Sequence, residues 1–152
     1  NWNKSGDINM KSFVNKTIKT NSVEETMCVA KKFVKGLKSG DVVLLSGDLG
    51  AGKTVFTKGF VEGLGVNADV VSPTFTIMNQ YGGKVNHFDL YRLNSPEEFE
   101  ATGAYEELFS SSISIVEWPE IVGFNYFPKS AYVVNILKMG ETTREIIIKR
   151  NE

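Results

Sequence analysis

Gly47-Asp48-Leu49-Gly50-Ala51-Gly52-Lys53-Thr54 is the stretch of this sequence whose residue types and spacing most directly imply chemistry. It matches G-x-x-x-x-G-K-[ST] without a gap, a pattern that holds phosphate groups. Glycines let successive backbone N–H groups turn inward around phosphate oxygens, where a side chain would block the approach. Lys53 then sets a cation against the β- and γ-phosphates, and the Thr54 hydroxyl is a ligand for Mg²⁺. A helix starting here adds the positive end of its dipole. The chain's own Gly, Lys and Ser/Thr frequencies predict about 0.02 chance matches over its whole length. The stretch reads as a nucleotide site.

Such a site needs a second metal anchor, usually an acid at the end of a neighbouring buried strand. Two acids are candidates. Glu117 closes Ile113-Ser114-Ile115-Val116-Glu117, and Asp89 sits in His87-Phe88-Asp89-Leu90. On strand geometry Ile113, Ile115 and Glu117 share a face, as do Val85, His87 and Asp89. An acid following buried positions is costly unless something pairs with it, and a cation does so. Alanine at either acid is expected to leave the fold intact, because it deletes a charge rather than a core side chain. The hydroxyls of Ser72-Pro73-Thr74 can sense a terminal phosphate, as switch segments do. His87, the single histidine, has no Ser or Cys nucleophile at a telling spacing and reads as a packed strand residue. Trp118 reads as core filler or as a rigid aromatic contact, and Cys28 as a core residue of the first helix.

These residues need elements to position them. Ser22-Val23-Glu24-Glu25 has capping-box spacing, and Val23, Met27, Ala30, Phe33 and Leu37 recur at helical steps until Ser39-Gly40-Asp41. Val42 to Ser46 is a continuous apolar run, the mark of a strand buried on both faces. Lys53 to Leu64 is helical, with Gly65 placed to stop it. Ser72, before Pro73, is extended. Phe75 to Tyr81 and Lys84 to Leu90 flank Gly82-Gly83 as a β-hairpin. Ser95-Pro96-Glu97-Glu98 opens another helix. Ile113 to Glu117 is a strand, Pro119 to Phe124 a short helix or turn, and Tyr132 to Lys138 with Arg144 to Lys149 a closing strand pair. The order predicts an α/β protein with a mixed sheet.

The chain has 152 residues, enough for one domain with a sizeable core. Residues 1–9 carry no periodicity and read as a leader outside the fold, leaving 10–152 as a single domain. Hydrophobic residues are 41%, charged residues 23%, and the net charge is −1, which argues against holding nucleic acid by bulk positive charge. One cysteine excludes an internal disulfide and a cysteine-based zinc site. Apolar runs reach only four residues, far below a membrane span, so a cytoplasmic protein without membrane contact is expected. Repeats, low-complexity tracts and charge blocks are absent.

Four blocks carry a family resemblance: the 47–54 loop, Ser72-Pro73-Thr74-Phe75-Thr76, His87-Phe88-Asp89-Leu90-Tyr91-Arg92-Leu93, and Val116-Glu117-Trp118-Pro119-Glu120. In this order and spacing they resemble the bacterial TsaE (YjeE) family, from about Asn21 to Arg150. The resemblance implies a P-loop NTPase-like three-layer fold, with a mixed, largely parallel sheet and a β-hairpin insertion. It implies a Mg²⁺-dependent ATPase that supports a TsaB–TsaD complex in forming threonylcarbamoyladenosine beside the tRNA anticodon, with tRNA met indirectly through that complex. It also implies that Lys53 and Thr54 contact phosphate and Mg²⁺, that Glu117 binds the metal and that Asp89 serves hydrolysis. Ser72 to Thr76 would be a switch-like loop, and Trp118 a partner or positioning residue. The adenine side falls to Ser22 and Gly140. Other classes are a small-molecule kinase and a nucleotide-regulated interaction module. A kinase usually clamps phosphates with several arginines, and this chain has only Arg92, Arg144 and Arg150. A GTP switch would need a guanine-reading Asn-Lys-x-Asp segment, and Asn15-Lys16-Thr17-Ile18 lacks the acid.

Overall fold

A computed structural model describes residues 10–48, 50–73 and 76–152. The expected leader, Leu49, Thr74 and Phe75 therefore lie outside the described residues. Seven strands form one sheet: β1 (Lys16–Thr20), β2 (Val42–Gly47), β3 (Met78–Tyr81), β4 (Val85–Asp89), β5 (Ile113–Glu117), β6 (Tyr132–Lys138) and β7 (Arg144–Arg150). Their order is β1-β7-β6-β2-β5-β4-β3. The middle four, β6-β2-β5-β4, run parallel, while β1, β7 and β3 join antiparallel at the margins.

β2 sits between β5 and β6, so both its faces are covered and Val42 to Leu45 are all buried. Strand alternation divides its side chains between two cores. Val43 and Leu45 join Phe33, Phe56 and Phe60, which belong to helices α1 (Val23–Val34) and α2 (Lys53–Gly63). Val42 and Leu44 join Phe88, Leu108, Phe127 and Phe99, the last from the short helix α3 (Pro96–Ala101). Helices on one face and α3 with 3₁₀ turns on the other give the three layers.

The caps follow the sequence. Ser22 Oγ accepts from Glu25 N–H at 3.1 Å, and Glu25 Oε1 accepts from Asn21 N–H at 2.8 Å. Ser95 and Glu98 repeat the arrangement ahead of α3, with Pro96 in the first turn. α1 stops at Val34, short of the expected Leu37, which packs against the core from the following loop. The third strand begins at Met78, since Thr76 and Ile77 form a bend.

Two features escape the apolar pattern. β1 carries two lysines and one apolar residue because it is an edge strand, with one neighbour and little burial. Cys28, expected in the core, is exposed, since α1 turns Thr26, Ala30, Phe33 and Val34 inward instead.

α1 and α2 touch closely at Gly59. A Cβ there would lie 2.5 Å from the Met27 carbonyl oxygen and 2.9 Å from Met27 Cα, both backbone atoms that cannot rotate away. Gly59→Ala is therefore expected to destabilise the fold by roughly 1–3 kcal/mol through forced separation of the helices. That outweighs the ~1 kcal/mol alanine offers as a better helix former. Chemical denaturation checks this; an unchanged midpoint would show that the two helices part without strain.

Candidate functional site

The parallel strands end on one rim of the sheet, where open α/β sheets collect ligands. β2 delivers Gly47 there, β4 delivers Asp89 and β5 delivers Glu117. Register pairs Asp89 with Glu117 across β4 and β5. A cleft of about 390 Å³ opens at this rim, bounded by Gly50, Gly52, Lys53, Thr54, Ser72, Asp89, Tyr91, Glu117, Trp118 and Arg144. Residues distant in sequence, from the glycine-rich turn and from both strand ends, thus meet in one cavity.

The turn is shaped by close backbone approach. At Gly47 a Cβ would stand 2.7 Å from the Ile136 carbonyl oxygen of β6, so no other residue fits without a shift. Gly52 caps α2 at φ +105°, a region that side chains rarely enter. Arg144 holds the turn from the side shared by the cleft and its neighbouring recess. Its Nε donates to the Ala51 carbonyl at 2.8 Å and its terminal nitrogens to Gly50 at 3.3 Å and to Gly140 at 3.0 Å. One guanidinium therefore ties the loop to the β6–β7 turn. Nothing in the local pattern around Arg144 marks this role; its scarcity, as one of three arginines, is the only trace.

Lys53 opens α2 and is buried, 7% exposed. Its Nζ lies 3.9 Å from the centroid of the Trp118 ring and has no hydrogen-bond partner among the described residues. A ring face offers an ammonium electrostatic attraction but accepts none of its three hydrogens in the way an oxygen does. Lys53 is thus a desolvated cation with donors to spare, suited to a phosphate oxygen. Trp118 is set for this contact by a left-handed backbone, φ 59°, unusual for a bulky residue. Its ring also leans on Tyr91, centroids 4.9 Å apart.

Glu117 is buried, 3% exposed, and His87 fully so. His87 Nε2 lies 2.6 Å from Glu117 Oε2. An ionised carboxylate only accepts, so Nε2 carries the hydrogen and donates it, while Nδ1 is buried without a partner among the described residues. His87 is packed, as expected, and in addition fixes how Glu117 points. The signal for it lay in the register: with β4 beside β5, His87 stands diagonally from Glu117 on the same face. This pairing corrects one expectation. Glu117→Ala would strand a buried His87 donor, a loss of about 1–3 kcal/mol, so glutamine is the substitution that preserves the fold.

Asp89 is half-buried, and Oδ1 accepts from Tyr91 N–H at 3.0 Å. Burial pushes its carboxyl above the ordinary carboxylate value; Glu117 adds to the rise, while the Tyr91 hydrogen bond, His87 and Lys53 oppose it. Among the described residues no group of three or more His, Cys, Asp or Glu could hold a metal ion. The donors present, the Thr54 hydroxyl with the two carboxylates, suit Mg²⁺, which usually keeps several waters and takes one or two carboxylates beside substrate phosphates.

Of the other expected binding residues, Asp48 is exposed beside the turn, and Ala51 is buried with its carbonyl bound to Arg144. Ser22 lines a separate recess of about 80 Å³ with Val23, Thr26, Glu141 and Thr142. That recess meets the cleft at Gly52, Val55 and Arg144, which line both. Gly140 stands just outside it, its carbonyl occupied by Arg144. Leu49 and Thr74 are not among the described residues.

A mixed sheet between two helical layers, with a glycine-rich turn between β2 and α2 and ionisable side chains at the carboxyl ends of its parallel strands, defines a three-layer α/β protein with its cleft at the strand ends. The model of the family described as threonylcarbamoyl adenosine biosynthesis protein TsaE matches residues 20–146, and the chain belongs to that family. It is 41% identical over 131 residues to the tRNA threonylcarbamoyladenosine biosynthesis protein TsaE of Bacillus subtilis strain 168, covering 84% of this chain and 81% of that one. The protein of the same name from Rickettsia conorii is 43% identical over 106 residues, a match covering 67% of this chain and 60% of the relative. The crystal structure of Bacillus subtilis YdiB is similar with a TM-score of 0.75 at 34% identity, covering 90% of this chain and 86% of that one. No described helix is long and apolar enough to cross a membrane.

The raised Asp89 carboxyl has a consequence for stability. A carboxyl whose folded value lies above its unfolded value favours the fold below the unfolded value, and that benefit is lost as pH rises through the folded one. Asp89→Asn keeps the acceptor for Tyr91 and removes the charge. It is expected to be at least as stable as the parent protein at neutral pH, with any advantage vanishing as pH falls below the ordinary carboxylate range. Thermal unfolding across that range checks this, and a deficit at neutral pH would show that burial is not the leading cause.

Proposed function

We propose that this chain binds ATP with Mg²⁺ at the cleft and hydrolyses it to support a TsaB–TsaD complex in forming threonylcarbamoyladenosine in tRNA. The observation that carries the reading is Lys53: a buried ammonium with unused donors at the start of the helix after the glycine-rich turn. The turn's backbone N–H groups and the α2 N-terminus receive the phosphates, with Lys53 on the β- and γ-phosphate oxygens. Thr54 and Glu117 hold Mg²⁺, with His87 orienting Glu117 through its hydrogen bond. When bound, Mg²⁺ would supply neutralisation of the phosphate charge. Asp89, half-buried on the same sheet face, positions the attacking water. Ser22 and the recess beside it serve the base, across Arg144 from the phosphates. Ser72 lines the cleft in the segment assigned to phosphate sensing, which continues through Thr74.

Lys53→Ala is expected to lower ATP hydrolysis by about 100-fold or more, because it removes a cation aimed at charge that develops in the transition state. Phosphate release is to be measured with and without the TsaB–TsaD pair, alongside threonylcarbamoyladenosine formation on tRNA. Near-normal turnover by Lys53→Ala would overturn the site assignment. Stimulation absent with the pair would overturn the coupling alone.

The two acids are expected to separate. Glu117→Gln keeps the His87 bond but weakens the metal site, so Mg²⁺-dependent ATP affinity and rate both fall. Asp89→Asn spares affinity and slows single-turnover hydrolysis, as loss of an interaction made mainly in the transition state does. The opposite pattern would exchange their roles.

A further inference from the structure

A groove of about 560 Å³ lies at the other end of the parallel strands. Gly40 and Val42, before and at the start of β2, line it, whereas the nucleotide cleft gathers around the end of that strand. Six residues of strand separate the two by about 20 Å.

The walls are aromatic. Tyr105 and Phe109 from the 3₁₀ turn after α3 meet edge to face, centroids 6.1 Å apart, and Tyr126 and Phe127 meet likewise at 5.5 Å. Phe109 is 77% exposed, which leaves a phenyl ring of the groove almost uncovered. One charged side chain stands among the lining residues. Glu100, on α3, accepts from the Tyr126 hydroxyl at 2.9 Å. Burial, then Glu100 itself, pushes the Tyr126 phenol up to about 12, so it stays a donor and keeps the carboxylate in place.

The surrounding chain is one-signed. Between Arg92 and the end of that turn there is neither lysine nor arginine, and five acids, Glu97, Glu98, Glu100, Glu106 and Glu107, belong to α3 and the turn that follows it. They are too dispersed to form a block in the sequence. Lys38 and Lys129 fall within two residues of other lining positions, so the negative charge belongs to the α3 wall rather than the whole rim.

We propose that this groove docks a segment of a partner protein that presents arginine or lysine beside apolar side chains. Ring faces attract a guanidinium or ammonium, and the aliphatic stem of either residue covers apolar wall while its head reaches the carboxylate. The volume falls in the range of built ligand sites and takes a few side chains. Phosphate-bearing nucleic acid is disfavoured by the same acids. A second copy of this chain would bring its own lysine-bearing surface to a different surface of its neighbour, a head-to-tail contact that closes only for particular rotations. Because the groove and the cleft lie at opposite strand ends, the docked segment leaves the cleft open. The inference is independent of the nucleotide reading.

The test uses an acetylated, amidated decapeptide alternating arginine and leucine, titrated into the whole protein by calorimetry at low and high salt. Two control peptides replace arginine by glutamate or leucine by glycine. The first peptide is expected to bind saturably and to weaken with salt. Phe109→Ser and Glu100→Gln are each expected to weaken it by about tenfold, the loss of one desolvated cation–ring or cation–carboxylate contact. Phe109 is exposed, so its variant retains the parent's unfolding temperature and phosphate release. Binding that is absent, unaffected by both substitutions, or equal for the glutamate peptide would overturn the proposal. So would sedimentation showing a self-associated protein that Phe109→Ser dissociates, since the occupant would then be a second copy.

Discussion

Lys53, His87 and Glu117 are ionisable side chains buried together at one end of a sheet, and the rest of the architecture answers that constraint. A buried charge without a partner is among the most costly things a fold can contain. Here each is only partly answered from within: His87 and Glu117 bond each other, and Lys53 has a ring face but no acceptor among the described residues. Such partial satisfaction weakens a protein that needs only stability. It leaves the pairing to be completed by whatever occupies the cleft, which under the proposed function is a polyanion with its counter-cation.

Holding those groups in place falls to packing and to one guanidinium. α2 begins with Lys53 and is seated closely on α1 at Gly59, where even an added Cβ would meet the Met27 backbone. Arg144 grips the turn ahead of it through carbonyls, leaving the loop's N–H groups uncommitted to it. A lysine in its place would lack the planar fork that reaches several carbonyls at once. The arginine takes up carbonyl acceptors of the loop, while Ala51 N–H donates to the Asp48 carbonyl within it.

The elements legible in the sequence were those with strong periodicity or sharp punctuation. Val42 to Ser46, the Lys53 helix, the Gly82-Gly83 hairpin and the Ser22 and Ser95 caps all stand where their residues place them. β1 was not legible, because an edge strand of lysines and threonines lacks an apolar face to alternate. Cys28 misled because a helical repeat fixes the spacing of a buried stripe better than its rotation about the axis. At the site, the glycine-rich turn and the two strand-end acids could be read locally. The bond between His87 and Glu117 could not, since it depends on β4 lying beside β5, thirty positions apart in the chain. Arg144 was invisible for the same reason, reaching back across 93 positions to the Ala51 carbonyl.

Trp118 resting on Lys53 has an optical consequence. Of the chain's two tryptophans, it is the one within the described residues; Trp2 lies outside them. An ammonium 3.9 Å from the indole centroid polarises its excited state, so the emission colour depends on whether the lysine is there. An anion that draws Nζ away from the ring alters that colour before any bond is broken. The protein therefore carries its own gauge of whether an anion has entered the cleft, without an attached dye.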